Sequence, residues 1–313
     1  MAILGIESVD YGVDDIAHAQ FYRDFGLQEV SASSDCVEFQ LAEGSRVRIL
    51  TEDHPELPAR YQEGNGVRCV YFGVDSEASL ETIASELGRD REVVRTDGTV
   101  RSVDEAGVPI GFRVWQPSAV SSEPSAVNAP GVANRVNRHR KWFKQATPKQ
   151  LLHSVFRVPD PQKNADFYIE RLGFRLSDIS RGFGVFIRAD GSNTHHNLFF
   201  MAGPEVGFEH VCFAVEDIDE LMTGANHMQK AGYTSNLGIG RHRIASSIFY
   251  YIVNPCGGEA EYGADSDVLD DGWEPREFEP AFGGFGWVGQ WPPFLPHEAS
   301  WDVKLAGSGE DAS

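Results

Sequence analysis

Short segments in which apolar and polar residues alternate lead into helical segments at four places along the chain, at 4–27, 66–87, 151–174 and 207–228. Alternation with a period of two predicts β-strands, and apolar residues spaced three and four apart predict amphipathic helices. In 66–87 and 207–228, a glycine opens the strand and an acidic turn precedes the helix. Carboxylates suit that place because they meet the positive end of the helix dipole.

The second pair of segments repeats the first. Segment 151–174 matches 4–27, segment 207–228 matches 66–87, and a glycine-containing turn into a final strand at 254–264 matches 104–114. Fourteen residues separate Glu7 from Phe21, and fourteen separate His153 from Phe167. Each half therefore reads β-α-β-β-β twice, which predicts an α+β chain of two tandem domains, each built from two βαβββ modules.

The composition places the boundaries between these units. We predict an N-terminal metal-free domain at 1–116, a linker rich in Pro, Ser and Ala at 117–149, a C-terminal metal-binding domain at 150–265, and an aromatic-rich wrapping segment with a disordered tail at 266–313. The tail aromatics, from Trp273 to Trp291, are expected to pack against the domain rather than to roof a pocket.

Composition and charge limit the class of protein. The 313 residues are 41% hydrophobic and 24% charged, as in soluble globular proteins, and the formal charge of −20 argues against nucleic acid as a partner. With no long apolar run and no leader pattern, we expect no membrane contact and a cytoplasmic location. The four scattered cysteines predict free thiols. Exposed sheet edges favour a homo-oligomer.

Candidate chemistry appears only in the second half. His153, His210 and Glu261 stand at strand positions that match Glu7, Cys69 and Gly111 of the first half. Two imidazoles and one carboxylate form the ligand set of a divalent metal with open coordination positions, typical of non-haem Fe(II). A single histidine in an apolar strand is usually a hydrogen-bonded core residue, but three ligand types on equivalent strands favour a metal site.

The motifs of this half carry a family resemblance. The stretch GRHRIASSIFYYIVNPCGGEAEYG (240–263) resembles a C-terminal signature in which His242, Tyr251 nine residues later and Glu261 ten residues beyond all serve the site. The stretch HHNLFF (195–200) resembles the family's histidine-containing strand, with His196 fourteen residues before His210. Over residues 3–265 the chain thus resembles the vicinal oxygen chelate superfamily and, within it, the type I extradiol ring-cleaving dioxygenases.

The resemblance implies half-open mixed β-barrels and extradiol cleavage of a catechol-type or trihydroxylated ring, with O₂ as cosubstrate, in aromatic catabolism. It implies Fe(II) held by His153, His210 and Glu261, while ligand identity alone also permits Mn(II). His196 would be the acid–base residue, and His242 and Tyr251 would orient and help deprotonate the small aromatic diol.

Other readings and details stay open at this stage. A glyoxalase- or epimerase-like metalloenzyme and a metal-free binding protein of the same fold are the alternatives. His195, next to His196 in an assumed strand, is expected to face away in a structural role. The chain has Phe199-Phe200 where the family usually has Ala-Phe, a departure that bears on pocket size. The sequence does not choose among monocyclic, biaryl and trihydroxylated substrates.

Overall fold

The fold is taken from a computed structural model that describes residues 2–293, 296 and 302–307. In the first half, a 3₁₀ turn at Ile16–Ala19 precedes the first helix. The strands and helices of this half are β1 (Ile3–Val13), α1 (Gln20–Phe25), β2 (Gln28–Ala32), β3 (Cys36–Gln40), β4 (Arg46–Thr51), β5 (Gly66–Val74), α2 (Glu77–Leu87), β6 (Val94–Thr96), β7 (Thr99–Val103) and β8 (Pro109–Val114).

The second half repeats this order of elements. Its members are β9 (Gln150–Val158), α3 (Pro161–Leu172), β10 (Arg175–Ser180), β11 (Gly184–Arg188), β12 (Leu198–Ala202), β13 (Gly207–Ala214), α4 (Ile218–Lys230), β14 (Ile239–Arg241), β15 (Ile248–Val253) and β16 (Glu259–Ala264). The C-terminal segment adds β17 (Arg276–Phe278), α5 (Pro280–Gly284), β18 (Trp287–Val288) and β19 (Val303–Leu305).

Both halves have the same sheet plan. The first sheet runs β2-β3-β4-β1-β5-β8-β7-β6, and the second contains the equivalent order β14-β15-β16-β13-β9-β12-β11-β10. In each half the first strands of the two modules pair antiparallel, β1 with β5 and β9 with β13, and each first strand pairs in parallel with the last strand of its module. The predicted α+β class with two tandem pairs of βαβββ modules is confirmed. The exact domain boundaries remain predictions.

Local sequence explains where the helices begin and end. Asp160 caps α3 by accepting from the Lys163 amide at 3.0 Å, and Pro161 occupies the first turn, where its missing N–H is not needed. Gly173 ends α3 in the left-handed region at φ 76°, which glycine adopts without strain. These signals make α3 begin and end where the repeat predicts.

The C-terminal segment is part of the second sheet. β18 pairs with β14 at one end of the sheet, β17 pairs with β10 at the other, and β19 pairs with β17. The segment therefore covers both edges that the repeat would leave open, and β18 and β19 become the edge strands of this sheet. The disorder predicted for the C-terminal tail concerns mostly residues 308–313, which lie outside the described residues.

The two halves share one hydrophobic core, which runs from Ile3 to Ala264. Phe25 of α1 stacks on Tyr262 of β16 with ring centroids 4.0 Å apart, and the Tyr262 hydroxyl donates to the Phe25 carbonyl at 2.7 Å. Such a ring pair contributes about 0.5–1.5 kcal/mol beyond burial of its area. The first half thus acts as a packing partner for the strands of the second.

Two further expectations concern cysteines and membranes. All four cysteines are free thiols, as predicted, and Cys69, Cys212 and Cys256 are buried while Cys36 is half-buried. Among the helices of the described residues, none combines the length and apolar character needed to cross a bilayer.

Candidate metal centre

Three neighbouring strands at the middle of the second sheet carry the predicted ligands. β9 carries His153, β13 carries His210 and β16 carries Glu261, in the spatial order β16-β13-β9. Cys212 of β13 lies opposite both His153 and Glu261 in register. His210 is two residues before Cys212 and so shares its face of the sheet. The pairing of the strands therefore brings the three side chains together.

The three ligand atoms form a close triangle. His153 Nε2 lies 3.3 Å from His210 Nε2 and 3.2 Å from Glu261 Oε2, and His210 Nε2 lies 3.2 Å from the same oxygen. His153 and Glu261 are buried, at 7% and 1% exposure. Ligands about 2.0–2.2 Å from one metal ion stand roughly 3 Å apart when they are adjacent to each other. The triangle therefore fits a single divalent ion.

The electrostatics of the triangle also fit a cation. Burial would raise the pKa of Glu261, but hydrogen bonds from His153 and His210 outweigh it and hold that pKa well below its ordinary value. Burial lowers the pKa of His153, which keeps this imidazole neutral and able to ligate. Glu261 Oε1 is buried with no hydrogen-bond partner among the described residues. A bound cation would add to the stabilisation that the two histidines give this buried carboxylate.

Cys212 is a competing ligand candidate. Its Sγ and ligand atoms of His153 and Glu261 all lie within 4.8 Å of one another. Burial, and then the negative charge of Glu261, raise the pKa of the Cys212 thiol well above its ordinary value. Since the thiolate is the form that ligates, a protonated Cys212 is the weaker choice. His210, whose Nε2 completes the tighter triangle, is the better third ligand.

His196 lies directly beside the triangle. Its ring stacks on His153 with centroids 4.0 Å apart, and the ring of Phe186 contacts its other side edge-on at 5.0 Å. Burial, followed by the neighbouring histidines, lowers the pKa of His196 well below its ordinary value. His196 is therefore a neutral imidazole at neutral pH, held in place by rings on both sides.

The strand-based reason for expecting His195 to face away does not hold. Residues 195 and 196 lie in a bend before β12, which begins at Leu198, so the strand alternation assumed for them does not apply. Both histidines are buried, and His195 Nδ1 lies 3.0 Å from His196 Nδ1. His195 Nε2 in turn lies 2.9 Å from Asp178 Oδ2. Sequence reasoning missed Asp178 altogether, since its position on β10 carries no motif.

His242 and Tyr251 meet next to His210. His242 Nε2 lies 3.1 Å from the Tyr251 hydroxyl, and the Tyr251 ring centroid is 5.0 Å from that of His210. His242 Nδ1 donates to the Gly284 carbonyl at 2.5 Å, which leaves Nε2 to accept a proton. Burial lowers the pKa of His242, while burial and the charge of Glu261 raise the pKa of Tyr251 well above its ordinary value.

Aromatic side chains line the surroundings of this cluster. Phe199 stacks on Phe186 with ring centroids 3.9 Å apart, so the residue that departs from the family pattern fills space one ring away from His196. Phe285 of the C-terminal segment lies 5.7 Å from His242 between ring centroids. The tail aromatics were expected to pack against the domain, and Phe285 does so beside a candidate site residue.

The equivalent place in the first half differs from its predicted form. Ser8 lies opposite Tyr71 in the pairing of β1 with β5, as His153 lies opposite Cys212 in the pairing of β9 with β13. Ser8, and not Glu7, therefore corresponds to His153. The sequence comparison gave Glu7 because it assumed that the connection from the first strand to the helix has the same length in both halves. In fact a 3₁₀ turn precedes α1, and none precedes α3.

A side chain occupies the position where the second half has Glu261. Gly111 is the counterpart of Glu261, and the ring of Tyr71 lies so close to Gly111 that no side chain would fit there. Arg113 stacks over that ring at 3.9 Å and its Nη1 lies 3.1 Å from Glu7 Oε2. The first half therefore has no equivalent ligand triangle among its described residues.

Comparisons with known proteins agree with this arrangement. Residues 150–262, the half that carries the triangle, match the model of the Glyoxalase/Bleomycin resistance protein/Dioxygenase superfamily. The chain is 30% identical to metapyrocatechase 2 of Cupriavidus necator over 94% of this chain and 91% of the relative. It is 28% identical to an iron-dependent extradiol dioxygenase of Rhodococcus jostii strain RHA1, over 88% of this chain and 94% of that relative.

A solved structure supports the fold alone. The Mn(II)-bound glyoxalase of Novosphingobium aromaticivorans superposes with a TM-score of 0.73 at 21% identity and covers 99% of this chain and 98% of its own. Paired βαβββ modules with a His-His-Glu cluster in the second half define a protein of the vicinal oxygen chelate class. Within that superfamily, the chain belongs to the extradiol ring-cleaving dioxygenases.

Proposed function

We propose that the chain binds one Fe(II) ion through His153, His210 and Glu261 and uses O₂ to open a catechol-type ring next to its two hydroxyls. The observation that carries the proposal is the triangle of ligand atoms, with sides of 3.2–3.3 Å, beside the His196 imidazole and the Tyr251 phenol. When bound, the metal supplies a Lewis acid for the diol oxygens and electrons for O₂.

His242 and Tyr251 orient the substrate in this proposal. The Tyr251 hydroxyl donates a hydrogen bond to His242 Nε2, so the lone pairs of the phenol oxygen are left as acceptors for a diol hydroxyl. A diol held by this hydrogen bond and by the metal has one fixed orientation. Removal of the Tyr251 hydroxyl is therefore expected to weaken substrate positioning more than metal binding.

His196 is the acid–base residue. Its neutral imidazole takes a proton in one step and returns it in another, a role that contributes typically 10²–10⁴-fold in rate. The flanking rings of His153 and Phe186 restrict its motion and keep water away from it. Glu261 adds one negative charge to the metal site, which offsets part of the charge of a divalent ion.

A relative and a structural neighbour bear on the choice of metal. The Rhodococcus jostii relative is named as iron-dependent, which supports Fe(II), whereas the Novosphingobium aromaticivorans neighbour holds Mn(II). The ligand set alone accepts both ions. The substrate class, a small aromatic diol, is supported by the metapyrocatechase relative.

Ligands drawn from both modules of a pair would be one criterion for the glyoxalase-like alternative. That criterion does not separate the two activities, because His153 comes from the first module of the second half and His210 and Glu261 come from the second module. The single glutamate and the added set of His196, His242 and Tyr251 favour the dioxygenase instead.

The proposal predicts that the chain, purified without oxygen and loaded with Fe(II), consumes O₂ and forms a yellow ring-opened product from a catechol. His196→Phe is expected to keep its iron and to lose about 10²–10⁴-fold in turnover, while Glu261→Ala is expected to lose the iron itself. Oxygen uptake, product absorbance and bound iron are measured for a series of catechols of increasing size, with Mn(II) loading in parallel.

Two matched variants serve as controls. Glu259→Ala removes another carboxylate from β16, the strand of Glu261. The Glu259 carboxylate accepts a hydrogen bond from Asn236 Nδ2 at 2.9 Å, and the variant should keep its iron. His139→Phe replaces an exposed histidine and should keep full turnover. Turnover of a methylglyoxal–thiol adduct without O₂ uptake would contradict the proposal, as would full turnover by His196→Phe.

A further inference from the structure

Three buried polar side chains stand in a line behind the candidate site. Asp178, His195 and His196 are 1%, 2% and 8% exposed. Asp178 Oδ2 lies 2.9 Å from His195 Nε2, and His195 Nδ1 lies 3.0 Å from His196 Nδ1. Only His196 touches the metal-ligand triangle, through its stack on His153.

The first member of the line is fixed by the C-terminal segment. The backbone N–H of Arg276 donates to Asp178 Oδ1 at 2.7 Å, where β17 pairs with β10. Asp178 therefore accepts a hydrogen bond on each of its two oxygens. The indole of Trp273 packs edge-on against His195 at 6.0 Å between ring centroids and donates to the Ser177 carbonyl at 2.7 Å.

The hydrogen bonds of this line determine which nitrogen of each imidazole carries the proton. A carboxylate that accepts on both oxygens requires His195 Nε2 to be the donor. With one proton on the His195 ring, Nδ1 has a lone pair that accepts from His196 Nδ1–H. With one proton on the His196 ring, Nε2 is unprotonated, and no described residue is hydrogen-bonded to that atom.

We propose that Asp178 and His195 are positioning residues that hold His196 in the Nδ1–H tautomer, so that its unprotonated Nε2 faces the substrate. The inference rests on the acid–base role of His196 proposed above and adds the groups that prepare it. The rings of His153 and Phe186 fix the plane of the His196 ring, but stacking does not choose between tautomers. A hydrogen bond to Nδ1 does.

The arrangement gives the C-terminal segment a defined part in the site. Through Arg276 and Asp178 it sets the tautomer of His196, and through the Gly284 carbonyl it sets that of His242. Both imidazoles then carry the proton on Nδ1 and leave Nε2 as the base. The segment supplies none of the three ligand atoms of the triangle, which lie on β9, β13 and β16, so the tautomer of His196 can be changed without removing a ligand.

Asp178→Asn tests the inference because it should exchange donor and acceptor in both hydrogen bonds, the one from residue 178 to His195 and the one from His195 to His196. The Arg276 N–H keeps the oxygen of the new amide as its acceptor, so the NH₂ group of that amide faces His195 Nε2 and donates to it. His195 must then donate from Nδ1, His196 must accept on Nδ1, and His196 Nε2 becomes protonated.

The readout is ¹⁵N NMR of the imidazole nitrogens in the full chain loaded with Zn(II), whose filled d shell leaves the signals sharp. His196→Phe identifies the His196 signals by their loss. The wild-type chain is expected to show Nδ1 protonated and Nε2 unprotonated, and Asp178→Asn the opposite pattern. A wild-type His196 protonated on Nε2, or an unchanged pattern in Asp178→Asn, would overturn the inference.

A second variant covers the case in which Asp178→Asn does not fold. His195→Phe keeps the ring and removes both nitrogens, so His196 loses its Nδ1 acceptor and should show a mixture of tautomers. A single Nδ1–H tautomer in that variant would contradict the inference. Asp190→Asn, an exposed aspartate that pairs with Arg175, is the control and should leave the His196 signals unchanged.

Kinetics separate positioning from a general structural effect. In Asp178→Asn, kcat is expected to fall about 10²-fold with KM and bound iron unchanged. A rise in KM with kcat unchanged would contradict the inference. The NMR pattern is measured without turnover, so an inactive chain with the expected tautomers would count against the proposed function and not against the positioning of His196.

Discussion

At the scale of single residues, the site is defined by which side chain of β13 ligates the metal. His210 and Cys212 share one face of that strand, and both lie near His153 and Glu261. A thiolate would bind a transition metal strongly, but the raised pKa of Cys212 keeps it a thiol. His210 Nε2 lies 3.3 Å from His153 Nε2 and 3.2 Å from Glu261 Oε2, so His210 is the ligand that we propose.

This assignment predicts opposite results for two substitutions on β13. Cys212→Ala should bind one Co(II) per chain with an unchanged visible spectrum and no thiolate charge-transfer band, whereas His210→Ala should lose about 10-fold or more in metal affinity. Cys256→Ala, which removes another buried thiol, is the control. A sulfur charge-transfer band that disappears in Cys212→Ala would show that the thiol is the ligand.

The residues that sequence reasoning misjudged have a common physical reason. His195 was placed by strand alternation in a stretch that is a bend, and Glu7 was placed by counting from a helix whose connection differs between halves. Residues on regular strands, such as the adjacent tyrosines of β15, separated as alternation predicts: Tyr250 bonds to Gln229 of α4 and Tyr251 faces His242. Period-two arguments hold only where the backbone is extended.

At the scale of elements, the repeated modules were predictable and the C-terminal segment was not. Strand alternation followed by a helical period occurs in both halves of the chain, so each copy supports the other. Segment 266–293 has no counterpart and no period. Its strands form by pairing with edges already present, and β17 pairs with only three residues of β10. Such short additions depend on tertiary contacts that a linear pattern does not contain.

The same segment contributes backbone groups to the site. The Gly284 carbonyl and the Arg276 N–H are the hydrogen-bond partners behind His242 and Asp178. Backbone groups have no side-chain signature, so their part in a site is invisible in a motif. The segment is also anchored by its own small cluster, in which Phe278 and Phe282 pack on Ile244 and Ala245.

At the scale of the whole molecule, the first half supports the second half through buried polar contacts as well as through the core. Glu43 is 6% exposed and accepts from the Leu151 amide at 2.7 Å and from Gln150 Nε2 at 3.1 Å. Both donors lie at the start of β9, the strand that carries His153. Burial raises the pKa of Glu43 to about 7, although these hydrogen bonds partly oppose the shift.

The raised pKa of Glu43 predicts a pH dependence of stability. Since the folded chain holds this proton more tightly than the unfolded one, its contribution is fully present below pH 4.5 and is lost as the pH rises to about 7. Relative to Glu43→Gln, the wild-type free energy of unfolding should therefore fall by at most about 3 kcal/mol between pH 4.5 and 8. Urea unfolding at several pH values measures it.

The control for this prediction is Glu63→Gln, which changes an exposed glutamate of the same half. Its free energy of unfolding should follow the wild-type value at every pH. If the Glu43→Gln and wild-type curves ran parallel instead, the buried carboxyl would not be protonated in the folded chain, and the interface would have to tolerate its charge.

Anomalous diffraction at the iron absorption edge, from crystals of the Fe(II)-loaded chain grown without oxygen, tests the placement of the metal most directly. The account predicts one iron per chain, bonded to Nε2 of His153, Nε2 of His210 and an oxygen of Glu261. An iron bonded to Cys212 in place of His210, or one lying beside Glu7 and Cys69 in the first half, would contradict it.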